Sequence, residues 1–104
     1  MIEVTIKDDS LSIKGHADSA EYGHDLVCCA VSTAWYMILK TLDKANVLFA
    51  KKKETPGDCY LEFVGNANTY KVFNYMTDFF IDLEKQYPQY VRTNKKVQGV
   101  GYFL

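Results

Sequence analysis

The sequence predicts an α/β domain of the α+β type: a two-layer sandwich in the order ββαββα(β), its sheet mainly antiparallel or mixed and covered on one face by two helices. Three observations predict it. Apolar and polar residues alternate in two stretches that each break at turn chemistry. Two longer stretches carry apolar residues at helical spacing. These signals follow one another as hairpin, helix, hairpin, helix, with no linker, repeat or low-complexity segment between them. At 104 residues the chain suits a single domain, residues 1–104, of which 94–104 fit a last strand or a loose end equally well.

Ile2, Val4 and Ile6 alternate with Glu3, Thr5 and Lys7, the period of a half-buried strand. Asp8-Asp9-Ser10 is a turn, and Leu11 and Ile13 resume the alternation up to Gly15-His16. Residues 17–24 show no sustained period and read as a polar loop, with Gly23 as its pivot and Asp25 as the N-cap of the helix that follows. From Leu26, a stripe of Val27, Val31, Ala34 with Trp35, Ile38 and Leu42 marks that helix, and Asn46 closes it. Leu26, Ala30, Met37 and Leu39 widen the apolar surface, which suits a central helix or a subunit contact. Residues 47–53 and 60–64 read as the second hairpin, joined by the turn Glu54-Thr55-Pro56-Gly57-Asp58. Asn66 and its neighbours prepare a second helix, whose stripe runs from Val72 and Phe73 through Met76, Phe79, Phe80 and Leu83 to Tyr87, before Pro88. Tyr90 to Thr93 suits a short last strand.

Composition narrows the function classes. A net charge of −1 gives no overall pull toward nucleic acid or an anionic membrane, and Lys51-Lys52-Lys53 reads as a solvated strand face. The longest charge-free run, Leu26 to Leu39, is too short to cross a bilayer. Three cysteines, two of them adjacent, make no disulfide framework, so a reduced, cytoplasmic protein is expected. His16, His24, Cys28 and Cys29 hold metal-donor atoms, but adjacent cysteines converge poorly on a tetrahedral ion. No metal and no cofactor are expected.

The chemistry concentrates between His16 and Cys28, twelve positions apart. With Asp25 as cap, Cys28 stands at the third helical position, where free backbone N–H groups and the helix dipole favour a thiolate. A nearby imidazole can take the thiol proton and return it to a leaving group. His16, at the end of a strand, and His24, just before the cap, compete for that part. Ser32, one turn after Cys28, can bond substrate or its own backbone. Cys29 points about 100° away from Cys28 and reads as packing, as does Cys59. Tyr22 and Trp35 are the aromatics near enough in sequence to line a pocket. Read without the histidine, Cys28 is a small buried hydrophobe.

Gly15, His16, Ala17, Gly23, Asp25, Val27, Cys28 and Ser32 together resemble the signature of the ribosomal-processing cysteine protease family, Prp. The resemblance covers 15–32 strongly and 1–93 in length and element order. It implies a homodimeric α/β endopeptidase with His16 and Cys28 as its catalytic pair under a mobile loop, here 17–24, while Asp25 caps the helix or orients His16. It further implies a protein substrate with an aromatic-rich N-terminal extension, cut after a Phe-Ala-like pair. That substrate is the large-subunit ribosomal protein twenty-seven or a phage capsid or scaffold protein. Cys29, where the family has a small residue, and the tail Lys95–Leu104 depart from the pattern and leave the substrate open. The rival readings are a dimeric peptide-binding adaptor with an inert Cys28, and a thiol redox sensor using Cys28 and Cys29.

Overall fold

In a computed structural model the alternation at the N-terminus becomes β1 (Ile2–Lys7), which turns at Asp8-Asp9 into β2 (Ser10–Lys14). The structure describes residues 1–15 and 22–97, with backbone alone for 22–25. Helix α1 (Tyr22–Lys44) leads to the hairpin β3 (Leu48–Thr55) and β4 (Asp58–Val64), then to helix α2 (Ala67–Gln86) and a last strand β5 (Val91–Lys96). Among the described residues, five strands form one mixed sheet in the order β3-β4-β2-β1-β5. Four of them pair antiparallel, while β5 runs parallel to β1, with Ile2 opposite Val91 and Lys7 opposite Lys96. The expected two-layer sandwich is therefore present with a mixed sheet, and residues 94–96 belong to its last strand.

Alternation decides which face is covered. Ile2, Val4, Ile6, Leu11, Ile13, Leu61, Phe63 and Val91 point to the helices and are buried. The helices answer with Val27, Val31, Trp35, Ile38 and Leu42 from α1 and Phe73, Phe80 and Leu83 from α2. At the centre, the Phe63 and Phe73 rings meet edge to face with centroids 4.9 Å apart. Residues Leu26–Lys44 reach spanning length and hydropathy once their terminal charges are counted in, but the buried stripe of this helix is used by the core.

The helix ends follow from local chemistry. Asn46 takes the left-handed conformation (φ 57°), with its N–H donating to Asp43 and that of Val47 to Leu42, a Schellman closure of α1. At the start of α2, the Asn66 side chain accepts from the Thr69 N–H and the Thr69 hydroxyl accepts from the Asn66 N–H. The start of α1 differs from expectation. It lies at Tyr22, so Gly23 and Asp25 fall inside the first turn, and Asp25 is not the cap. An acidic side chain is favoured by the helix dipole at the cap and throughout the first turn, so its presence alone did not fix the boundary. Gly23, being helical, is no loop pivot in this structure. The remainder of the expected loop, 17–21, and the tail beyond Val97 lie outside the described residues.

Candidate active site

A pocket of about 300 Å³ opens where α1 crosses the β2 end of the sheet. Helix α1 supplies Cys28, Val31, Ser32, Trp35 and Tyr36, residues spaced three and four apart and therefore on one face. The sheet supplies Ile2, Ile13 and Gly15, and the β3–β4 hairpin closes the far side with Gly57 and Cys59. Helical spacing places Ser32 one turn from Cys28, and Trp35 is expected at the pocket from its nearness in sequence. Gly57 and Cys59 carry no comparable sign, because hairpin and helix meet only in three dimensions, while Tyr36 stands one turn beyond Ser32 on the same helix face and is missed.

The rim is made by a close backbone approach. Gly15 has a φ of 120°, a region that L side chains avoid, and its N–H donates to the Gly57 carbonyl at 3.0 Å. A Cβ at this position would run into the Met1 carbonyl oxygen. Glycine is thus required where β2 leaves the sheet beside the pocket. Gly57, with φ 74°, makes the turn on the other side of that bond.

The three sulfurs occupy different surroundings, and all are thiols rather than disulfides. Cys28 is half-buried and lines the pocket. Cys29 is exposed and not part of the lining, as the 100° rotation requires. Cys59 lines the pocket too, but burial pushes its thiol above the ordinary range, with the Glu54 and Asp58 charges adding to the rise against its bond to the Thr55 carbonyl. At neutral pH Cys59 stays protonated and is a poor nucleophile.

Cys28 lies in the seventh residue of α1 rather than the third, one turn beyond the free N–H groups of residues 22–25. The dipole's effect falls off within the first turn, so it acts more weakly on Cys28 than the sequence suggested. A proton acceptor becomes correspondingly more important. His16 is the covalent neighbour of Gly15 on the pocket rim but lies outside the described residues. So do the side chains of Tyr22, His24 and Asp25.

A second surface lies between the helices. Ala30, Ala34, Met37 and Ile38 of α1 and Met76 and Phe79 of α2 border an apolar hollow of about 390 Å³, with Met37 60% exposed.

Comparison with known proteins fits this geometry. The sequence profile of the family described as Cysteine protease Prp matches residues 1–92. The Ribosomal processing cysteine protease Prp of Mycoplasma genitalium is 26% identical over 96 residues, covering 92% of this chain and 97% of that protein. Among solved structures, one from Streptococcus mutans superposes with a TM-score of 0.77 at 25% identity, covering 94% of this chain and 96% of the other. The essential ribosomal processing protease Prp of S. aureus, in complex with a covalently linked product peptide, gives a TM-score of 0.77 at 24% identity, with 92% and 100% covered.

Proposed function

The chain belongs to the family of the ribosomal-processing cysteine protease Prp, and on that premise we propose that Cys28 and His16 form the catalytic pair of an endopeptidase that removes an N-terminal extension from a ribosomal large-subunit protein. The observation that carries this reading is the pocket: its lining includes both Cys28 and Gly15, the residue bonded to His16. Each chemical step then has an owner. His16 takes the Cys28 proton, and the sulfur attacks the scissile carbonyl carbon to form a tetrahedral adduct. Ser32, on the same wall one turn along, offers a hydroxyl to the oxyanion. As the adduct collapses, the C–N bond breaks and His16 protonates the departing amine; water then cleaves the thioester and restores the thiol.

The pocket walls of Ile2, Ile13, Val31 and Trp35 suit a large apolar or aromatic substrate side chain. This agrees with an aromatic-rich extension, for which ribosomal protein twenty-seven is the first substrate to test and a phage capsid or scaffold protein the second. Incubation with a peptide of each kind, wild type beside Cys28→Ser, tests the assignment. Wild type should cut at one bond and Cys28→Ser should not cut at all. Iodoacetamide should alkylate Cys28 fastest near neutral pH and lose that rate in His16→Ala. Slow alkylation at every cysteine with no cleavage would favour the adaptor instead, and loss of the rate on Cys29→Ser would favour the sensor.

The apolar hollow of Met37, Met76 and Phe79 supports the second part of the proposal, a homodimer joined through α1 and α2. The proposed compartment, the cytoplasm, rests on a cysteine pattern that makes no disulfide framework. Met37→Glu should shift the sedimentation coefficient from dimer to monomer, and an unchanged value would place the seam elsewhere.

A further inference from the structure

Trp35 sits two turns along α1 from Cys28, on the same pocket wall, and is nearly fully buried. Its indole N–H donates to Glu54 Oε1 at 2.9 Å, a bond that crosses from α1 to the edge strand β3. Glu54 is opposite Cys59 in the β3–β4 register, and Cys59 is itself a wall of the pocket. Glu54 also lines a neighbouring groove of about 420 Å³ with Leu39, Phe49 and Lys52, and Tyr36 lines both the groove and the pocket. One carboxylate therefore holds the partition between the space around Cys28 and the groove beside it.

An indole has one polar atom, and where that atom is anchored decides which way the ring faces. Removing the acceptor leaves a buried N–H unsatisfied, so the ring turns toward another partner or toward water. Either movement changes the shape of the wall that a substrate side chain must meet. We propose that Glu54 is a positioning residue that acts through Trp35: it sets the pocket wall that receives a bulky apolar or aromatic substrate side chain next to Cys28. This rests on the protease reading and adds a specificity determinant that never touches the reacting atoms. No sequence pattern points to it, because Glu54 reads there as the end of a charged run entering a turn.

Trp35 is the one tryptophan in the chain, so its emission reports on this wall directly. The test compares wild type, Glu54→Leu, Glu54→Gln and Trp35→Phe on an aromatic extension peptide and on the same peptide with its aromatics changed to alanine. Glu54→Leu should raise KM for the aromatic peptide about tenfold, the size expected for losing a hydrogen bond to a charged acceptor, with kcat within about twofold. KM for the alanine peptide should change less than about twofold. Glu54→Gln keeps an acceptor oxygen and should restore both the KM and the emission of Trp35. Combining Glu54→Leu with Trp35→Phe should add nothing to the larger single effect. Equal KM increases on the two peptides, failure of glutamine to rescue, or unchanged emission in Glu54→Leu would overturn the proposal. If wild type cuts neither peptide, the protease reading fails on its own, and titration of Cys28→Ser followed by Trp35 emission still decides this point. The aromatic peptide should then shift the emission, with an apparent Kd about tenfold weaker when Glu54→Leu is added, and an unaltered Kd would reject the role.

Discussion

Helix α2 starts from a closed capping box at Asn66 and Thr69, and its far side is tied to β5 by polar bonds. The Thr93 N–H donates to Glu84 Oε1 at 2.6 Å, the Thr93 hydroxyl to the Phe80 carbonyl, and Lys95 Nζ to Asp78 and the Asn74 carbonyl. Helix α1 carries Cys28 in its second turn and, beside its packed stripe, borders an open pocket at the β2 end of the sheet. Where α2 meets the sheet, backbone ends and side chains are used up in holding one another. Where α1 does, a thiol, a hydroxyl and an indole face a space that another molecule can enter. The α2 side is closed by polar bonds, while the α1 side, though packed on the sheet through its own stripe, leaves a pocket open beside it.

The sharpest way to break that contrast is a pair of substitutions expected to act in opposite directions. Cys28→Ala should reduce peptide cleavage by at least about a thousandfold, since covalent catalysis is lost, while thermal stability stays within about 1 kcal/mol. Phe73→Ala, at a fully buried ring on α2, should cost about 3–5 kcal/mol in chemical denaturation yet leave activity per folded molecule near wild type. A large stability loss from Cys28→Ala, or a kcat collapse from Phe73→Ala in the folded fraction, would show that the two halves are not separable.

Gly15 lies where the contrast is weakest, because it directly follows β2 and also lines the pocket. Gly15→Ala should cost about 2–4 kcal/mol, from the unfavourable φ and the collision with the Met1 carbonyl. Cleavage should fall with it, because the chain leading to His16 is displaced. A variant with wild-type stability would mean that the β1–β2 end yields easily.

These positions also mark how far the sequence could be read. The hairpin at Asp8-Asp9, the α1 stripe, the α2 stripe apart from the exposed Val72 and Phe79, the Asn46 closure and the Asn66 start depend on residues within a few positions of one another, and the sequence contains them. The pairing of β5 with β1 joins chain segments almost ninety residues apart through a parallel register, for which no local pattern exists. The same limit applies to the site. The half carried on α1 follows from helical spacing, but the wall of Gly15, Gly57, Cys59 and Glu54 forms only once the hairpin is laid beside the helix. The sequence starts α1 after Asp25 and the structure starts it at Tyr22, because Asp25 satisfies the helix dipole from inside the turn as well as from the cap.

A smaller effect sharpens the α2 side. Asn66→Ala removes the acceptor for the Thr69 N–H and should cost about 1 kcal/mol in denaturant midpoint stability, with no change in KM or kcat. Thr69→Ala should match it, and the double variant should cost less than the two together, since both belong to one reciprocal cap. Additive losses would mean that the two bonds form independently.

The smallest expected effect lies at the hairpin tip, beside the pocket but outside its lining. Lys53 Nζ meets Asp58 Oδ2 at 2.6 Å, and that bond, with the Lys53 and Lys14 charges, holds the Asp58 carboxyl below its usual value of 3.8. A depressed carboxyl contributes stability only while it is ionised. The contribution is complete above the ordinary aspartate range and disappears as pH falls from 3.8 through the lowered folded value. Because the pair is exposed to water, the contribution is screened, and the titration itself is a better readout than melting. In Lys53→Met the Asp58 carboxyl signal in NMR should titrate closer to 3.8, with cleavage at neutral pH unaffected. A titration that stays depressed would transfer the cause to Lys14, and a change in cleavage would show that the Lys53–Asp58 pair also orders the hairpin residues that wall the pocket.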